Sequence, residues 1–182
     1  MKLNLGVITL LIALLLGEEV EAQSFAFADV SPTSFDLGGG TAFGRGRVQP
    51  GFCLDARHAF SLNKLALDAE AYGTLVVRLA PTWFLLNNLG AGATINDSTV
   101  WSARALFILT GTAPVSLRAS IFAMWTPQND GILLSARIGP TIRLGDTAFR
   151  IYPNLALSVG IPGTDRSANV AVTPGVTLFL NW

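Results

Sequence analysis

Apolar and polar residues alternate along most of this chain, and that period of two constrains its fold more than any other feature. Between residues 168 and 182, the residues expected to point to one side of a strand are Ala168, Val170, Val172, Pro174, Val176, Leu178, Leu180 and Trp182. Successive side chains of a β-strand point to opposite faces, so this alternation predicts strands with one apolar face. Hydrophobic residues make up 51% of the 182 positions, yet no apolar run beyond the N-terminal segment approaches the roughly 18 residues of a spanning helix. The sequence therefore predicts an all-β protein.

Eight alternating segments predict eight strands in one domain. They cover residues 35–45, 51–62, 65–78, 99–109, 115–125, 131–144, 149–159 and 168–182. Each segment is long enough to cross a bilayer when tilted, which takes about 9 to 11 residues. We therefore expect residues 35–182 to form a closed antiparallel up-and-down barrel of eight strands, preceded by a short segment, 23–34. Shorter turns at one end and longer connections at the other, including a loop over 80–98 of unknown role, are typical of bacterial membrane barrels.

Residues 1–22 have the layout of a secretory signal peptide. Lys2 gives a basic start, Leu5 to Leu16 form an apolar stretch, and Val20-Glu21-Ala22 precedes the expected cleavage site, although Glu21 stands where a small or neutral residue is more usual. The apolar stretch is shorter than a comfortable transmembrane helix, which makes an N-terminal anchor the second interpretation. We expect export, with cleavage after Ala22.

The face that meets water decides whether such a barrel lies in a membrane or in solution. A secreted lipocalin-like barrel, with the apolar set lining a ligand cavity, is the soluble alternative. The polar face, however, is rich in small residues and arginine, and Lys64 is the single lysine after the signal peptide. Arginine suits packed pairing with carboxylates, whereas solvated surfaces draw freely on lysine and glutamate. The opposite face carries no charged residue, as a bilayer requires, so the sequence favours the membrane barrel.

Aromatic residues of the apolar face lie near the strand ends, where membrane barrels carry aromatic girdles. One predicted girdle consists of Phe35, Phe60, Phe107, Phe149 and Trp182, and the other of Phe43, Phe52, Trp101 and Trp125.

Charges on the polar face are expected to pair inside the barrel. The predicted network consists of Asp36, Asp55, Arg57, Asp68, Glu70, Arg78, Arg104, Arg118, Arg137, Arg143 and Arg150. An eight-stranded barrel has an interior only wide enough for side chains or one small ligand. The sequence therefore predicts a plugged, charge-paired lumen.

The C-terminal strand carries the most specific motif. Thr173, Gly175, Leu178 and Leu180 alternate up to the terminal Trp182. This motif is similar to the terminal signal that outer-membrane barrels present to the barrel-assembly machinery. Over residues 33–182, the chain resembles the small eight-stranded outer-membrane barrels of Gram-negative bacteria in architecture, without the signature of one subfamily. The resemblance implies an outer-membrane location with both termini in the periplasm, and membrane lipid and the assembly machinery as partners. We further expect a monomer.

The sequence contains no convincing catalytic, cofactor or metal site. The only histidine, His58, is predicted to point toward lipid, and the only cysteine, Cys53, can form neither an internal disulfide nor a metal cluster. A formal net charge of zero argues against nucleic acid as a partner. A non-enzymatic barrel with a structural or interaction role is the leading interpretation.

Two further functions stay open at this point. A narrow, gated solute or anion channel would use the excess of positive over negative charge on the polar face. A lipid-binding or lipid-modifying barrel would use Pro140, Pro153 and Pro174, because proline removes a hydrogen-bond donor from each of three consecutive strands. Those prolines would then mark a lateral opening, whereas bulges that bend the wall are the simpler explanation.

Overall fold

The computed structural model describes residues 22–44, 47–60, 62–128, 130–163 and 168–181. These residues form ten strands: β1 (Ala22–Val30), β2 (Ser34–Phe43), β3 (Val48–Ala59), β4 (Lys64–Ala80), β5 (Trp83–Ile95), β6 (Thr99–Gly111), β7 (Val115–Thr126), β8 (Gly131–Arg143), β9 (Phe149–Ile161) and β10 (Asn169–Asn181). Each strand pairs antiparallel with the next, and β1 pairs with β10, so the sheet closes into a barrel. No helix among them is long and apolar enough to cross a membrane. The predicted signal peptide, apart from Ala22, lies outside the described residues.

The predicted class is right, but the predicted number of eight strands is wrong. The two additional strands are β1, from the segment 23–34, and β5, from the predicted loop 80–98. In both strands the contrast between a polar and an apolar face is weak. Inward positions of β1 include Phe25 and Phe27, and those of β5 include Gly90 and Gly92, so the polar face by which the other eight strands are recognised is largely replaced by aromatic rings and glycine.

The additional strands also change which turns lie together. We call the end of the barrel at which β1 begins and β10 ends the terminal end. β1 reverses the predicted direction of β2, β3 and β4, and β5 restores it for the remaining strands. The strand ends that flank the β2–β3, β4–β5, β6–β7 and β8–β9 connections consequently lie at the terminal end. Those that flank the β1–β2, β3–β4, β5–β6, β7–β8 and β9–β10 connections lie at the opposite end. The predicted contrast between short turns and one long loop is therefore absent.

This change of direction also regroups the aromatic residues. Phe43, Phe52, Phe107 and Phe149 lie toward the terminal end, and Phe35, Phe60, Trp101 and Trp125 lie toward the opposite end. The predicted grouping was wrong for Phe35, Phe60, Phe43 and Phe52, because all four belong to the part of the chain that β1 reverses. Trp182 lies outside the described residues.

The outer surface of the barrel is an apolar band. Leu54, Leu89 and Ile121 point outward and are 57%, 62% and 58% exposed. Among the described strand residues, no Asp, Glu, Lys or Arg lies on the outward face. The apolar set thus surrounds the barrel and does not line a cavity, which is the opposite of the soluble lipocalin-like arrangement. Such a surface needs a lipid environment.

A charge introduced on this band should lower the stability of the barrel more when it lies closer to the bilayer midplane. Ile121 lies near the middle of β7, whereas Leu62 lies in the turn between β3 and β4 and is 68% exposed. We expect Ile121→Arg to lower the free energy of unfolding by about 2–4 kcal/mol, and Leu62→Arg by about 0–1 kcal/mol, because only the former places a charge near the bilayer midplane. Urea titration in phospholipid vesicles measures both. Equal losses would contradict a membrane position for the band.

Candidate functional site in the barrel lumen

The inward face of the barrel carries nearly all of its charge. All eleven residues of the predicted luminal network occupy inward register positions, and Arg78 and Arg143 lie at the rim. The structure adds Asp29 of β1, which sequence analysis missed because β1 was not recognised as a strand. The alternation of Phe25, Phe27 and Asp29 with small residues was the signal that could have located it. Ten strands also make the barrel about a quarter wider than the eight that were predicted.

Arg104 of β6 holds the first charge cluster together. Its Nη2 lies 2.6 Å from Asp68 Oδ1 and its Nη1 lies 3.3 Å from Glu70 Oε2, both on β4. Its Nε donates to Ser102 Oγ at 2.7 Å. The guanidinium reaches β4 by crossing the intervening strand β5, where a Cβ at Gly92 would lie only 2.7 Å from Arg104 Cζ. The glycine therefore makes room for the ion pair.

The second cluster joins the strands around the closure of the barrel. Arg137 Nη1 of β8 lies 2.7 Å from Asp29 Oδ2 of β1. The Thr177 hydroxyl of β10 donates to Asp29 Oδ1 at 2.7 Å, and Asn154 Nδ2 of β9 donates to Thr177 Oγ1 at 3.2 Å. Both carboxylate oxygens of Asp29 are thus engaged. The network spans four adjacent strands, including the β1–β10 pair.

The remaining luminal carboxylates lie toward the opposite end. Arg57 Nε lies 3.0 Å from Asp36 Oδ2 across the β2–β3 pair. Asp55 faces Asp68 in the β3–β4 register. Together with Glu70 and Asp29, these groups place the acidic part of the lumen between its middle and the end that lies away from the termini.

The terminal end of the lumen contains four arginines whose contacts are not with carboxylates. Arg78, Arg118, Arg143 and Arg150, here called the terminal arginine group, form no ion pair with a carboxylate among the described residues. Arg78 Nη2 donates to the Pro81 carbonyl at 3.1 Å. Arg143 and Arg150 each donate an Nη2 hydrogen bond of 3.3 Å to the carbonyl of Thr112. These arginines are held by backbone carbonyls, which do not neutralise their charge.

Arg118 is held by aromatic rings. Its Cζ lies 4.4 Å from the ring centroid of Phe179 and 5.5 Å from that of Tyr152. The Tyr152 hydroxyl donates to the carbonyl of Arg118 at 3.4 Å. Stacking of this kind compensates a guanidinium through the negative face of the ring while leaving its N–H edges available.

The charges in the lumen are consequently separated along the barrel axis. Arg143 and Arg150 share one acceptor oxygen at 3.3 Å each, so their donor nitrogens lie no more than about 6.6 Å apart. At an effective dielectric of about 20, two unit charges at that distance repel by about 2.5 kcal/mol. The terminal end is therefore strongly positive, and the carboxylate-rich part lies beyond the middle of the lumen.

Part of the interior retains access to water. Arg137, near the middle of β8, has a side chain that is 37% exposed although it points inward. Most of the buried residues in the described part of the chain, such as Arg104, Tyr152 and Thr177, also point inward. The lumen is thus packed around these residues and more open beside Arg137.

The hydrogen-bond ladder between β8 and β9 is interrupted in the part of the wall beside the terminal arginine group. Pairing between β8 and β9 runs to Ile138–Leu155 and resumes at Ile142–Ile151. Pro140 and Pro153 fall opposite each other within this gap. Pro174 pairs with Leu155 on the other side of β9. Behind the gap, Thr141 is 1% exposed and its hydroxyl has no hydrogen-bond partner.

The other residues singled out by sequence are placed as follows. His58 lies on the outward face, with its ring 5.7 Å from that of Phe60 and Nε2 3.3 Å from Asn63 Oδ1. Cys53 is a half-buried free thiol at an inward position beside Glu70 in register. Among the described residues, no group of His, Cys, Asp and Glu could hold a metal ion.

The predicted assembly motif lies in β10. Thr173 and Gly175 occupy inward positions, while Leu178 and Leu180 alternate with them on the outward face. Its terminal residue, Trp182, is outside the described part of the chain.

Comparison with known proteins finds similar barrels only among solved structures. No family model matches the chain, and no curated protein matches it. A bacterial polysaccharide outer membrane secretin matches with a TM-score of 0.48 and 8% identity, over 82% of this chain and 57% of that one. This chain therefore spans little more than half of the secretin chain.

Two channels match over nearly their whole lengths. The KdgM porin has a TM-score of 0.47 and 9% identity, over 88% of this chain and 98% of that one. An outer membrane channel from Pseudomonas putida F1 has a TM-score of 0.48 and 8% identity, over 91% and 96%. At this similarity they carry no information on ligand or mechanism.

The role of Gly92 beneath Arg104 can be tested by adding a single methyl group. We expect Gly92→Ala to lower the free energy of unfolding by about 1–3 kcal/mol, because the new Cβ would meet both the Arg104 guanidinium and the Ala69 carbonyl at less than 3.0 Å. Gly73→Ala is the matched control, since nothing lies within 4 Å of a Cβ there. Chemical unfolding in detergent micelles compares the two variants. Equal stability would show that Arg104 does not depend on the glycine.

Proposed function

We propose that this chain is exported by a cleaved signal peptide and forms an outer-membrane β-barrel whose lumen is a narrow, anion-preferring channel. The terminal arginine group carries the proposal. Four positive charges without carboxylate partners stand where solutes enter or leave the lumen. A path lined by one sign of charge in low-dielectric walls concentrates ions of the opposite sign.

Two features of the lumen support conduction over a plugged, purely structural barrel. Ten strands enclose a wider interior than eight, and the inward side chain of Arg137 remains 37% exposed. In addition, the luminal ion pairs join strands only one, two or three positions apart along the wall, as Arg57 and Asp36 do on neighbouring strands. The proposed barrel acts without catalysis and without a cofactor.

Ion selectivity tests the proposal directly. We expect the refolded chain, residues 23–182, to conduct in planar bilayers and to show a reversal potential of the chloride-selective sign under a tenfold KCl gradient. Arg143→Gln combined with Arg150→Gln should shift that potential toward zero, because two uncompensated charges are removed. Asp36→Asn combined with Arg57→Gln is the control, since it removes one charge of each sign and should leave the potential unchanged.

Two outcomes would contradict the channel. A folded barrel without conductance would return the interpretation to a plugged structural or interaction protein. A reversal potential of the cation-selective sign would show that the carboxylates, not the terminal arginine group, govern permeation. Folding itself is checked by electrophoresis in SDS, where an unboiled barrel should migrate faster than a boiled one.

The interrupted β8–β9 ladder supports a second candidate function, a lateral opening that admits lipid chains. We expect Thr141→Cys, in a Cys53→Ala background, to react with a membrane-soluble maleimide, because the buried side chain lies directly behind the gap. Valine at positions 140, 153 and 174 restores three ladder donors and should slow that reaction. A rate that does not respond to the three valines would refute the opening.

A further inference from the structure

We infer that Arg118, Arg143 and Arg150 form a binding site for an oxyanion, a ligand that bears a phosphate or a carboxylate group. The inference rests on the proposed anion-preferring lumen and assigns to it one specific site. The site lies at the terminal end of the lumen, on the inward face of β7, β8 and β9.

Arg143 and Arg150 form one side of the site. They are register partners across the β8–β9 pair, and both donate through Nη2 to the carbonyl oxygen of Thr112 at 3.3 Å. A single neutral acceptor thus satisfies one donor of each guanidinium. Arg150 Nη1 is buried and has no hydrogen-bond partner. A buried cationic donor without an acceptor is rare in folded proteins and requires an explanation such as a missing ligand.

Arg118 forms the other side. Its guanidinium lies over Phe179, and Phe179 is the register partner of Arg150 across the β9–β10 pair. The side chain therefore extends from β7 past Tyr152 of β9 to β10 and brings its charge beside Arg150. None of its guanidinium nitrogens donates to an acceptor among the described residues. The aromatic contact fixes the position of the group and leaves its N–H donors for a ligand.

The protein supplies no carboxylate to this group. Asp29 is the luminal carboxylate of β1, and both of its oxygens are already engaged by Arg137 and Thr177. Asp146 lies in the turn between β8 and β9, is exposed, and forms no ion pair among the described residues. Three converging guanidinium groups therefore remain uncompensated by the chain itself.

The donor set selects the class of ligand. Guanidinium groups present planar forks of N–H donors, which match two oxygens of one phosphate or carboxylate. A monatomic anion such as chloride has no such pair of acceptors. The site should accordingly distinguish oxyanions from chloride, although both would pass a merely positive lumen.

Calorimetric titration of the folded barrel in a zwitterionic detergent tests the site. We expect inorganic phosphate to bind more tightly than chloride, and Arg118→Gln and Arg150→Gln each to weaken phosphate binding roughly tenfold or more, as loss of a charged hydrogen bond does. Arg150→Lys should retain part of the affinity. Arg47→Gln is the control, because Arg47 is exposed in the β2–β3 connection at the same end. An equal loss in the Arg47 variant, or phosphate binding no tighter than that of chloride, would overturn the inference.

A measurement on the unaltered chain tests the site without relying on variants that could fail to fold. Phosphate should protect Arg143 and Arg150 from phenylglyoxal while Arg47 continues to react, as read by mass spectrometry of peptides. Uniform protection, or none, would refute the site. Repeating the titration with phosphatidylglycerol in the micelles identifies the source of the oxyanion: competition with inorganic phosphate supports a lipid headgroup, and its absence supports a free solute.

These experiments distinguish a failure of the proposed binding site from a failure of the proposed channel. Phosphate binding that depends on Arg118 and Arg150 in a barrel without conductance retains the site and refutes the channel. Conductance of the chloride-selective sign, without arginine-dependent phosphate binding, retains the channel and refutes the site.

Discussion

Closure of the hydrogen-bond ladder is the constraint on which the rest of the structure depends. A sheet whose outer face is apolar cannot leave an unpaired edge in lipid, since each unsatisfied backbone group there costs several kcal/mol. The pairing of β1 with β10 removes that edge. It is reinforced from inside by Asp29, which binds Arg137 and Thr177 and so connects strands on both sides of the closure. The same ion pair fixes part of the lumen, so wall and interior are stabilised together.

Small residues allow charges and rings to occupy a crowded interior. Gly92 lets the Arg104 guanidinium cross β5, and Gly38 and Gly40 of β2 lie directly under the rings of Phe27 and Phe25. At each of these positions a Cβ would come within 3.0 Å of a luminal side chain. Long inward side chains on one strand therefore require glycine on the neighbouring strand. This complementarity determines which charges meet and which stay apart.

The separation of charge along the barrel follows from that packing. Carboxylates of β1 to β4 bind Arg57, Arg104 and Arg137. Asp55, the luminal carboxylate without an ion pair among the described residues, lies beside Asp68 toward the opposite end and not beside the arginines of the terminal end. Those arginines are held by the Thr112 carbonyl and by Phe179, partners that orient a guanidinium without cancelling its charge. The lumen thus combines a carboxylate-rich part with a part that presents free positive charge, which is the arrangement from which both proposals derive.

The sequence by itself determined the class of the fold, the apolar outer surface and the inward position of the charged residues, because the side chains of a strand alternate with a strict period of two. It did not determine the number of strands. β1 and β5 carry phenylalanine and glycine at inward positions, and their membership in the sheet depends on what neighbouring strands place against them. The grouping of Phe35 and Phe43 was wrong for the same reason, since one additional strand reverses the direction of those that follow.

Only the tertiary structure decided which charges pair. Arg104 binds a strand two positions away and Arg137 a strand three positions away, and such distances between strands leave no trace in local sequence. Alternation reports the face of each residue, but the partner across the lumen depends on strand count, register and the glycines between them. The sequence therefore defined the lining of the barrel, and closure of the sheet decided where the charges of that lining pair and where its positive charge is left without a carboxylate.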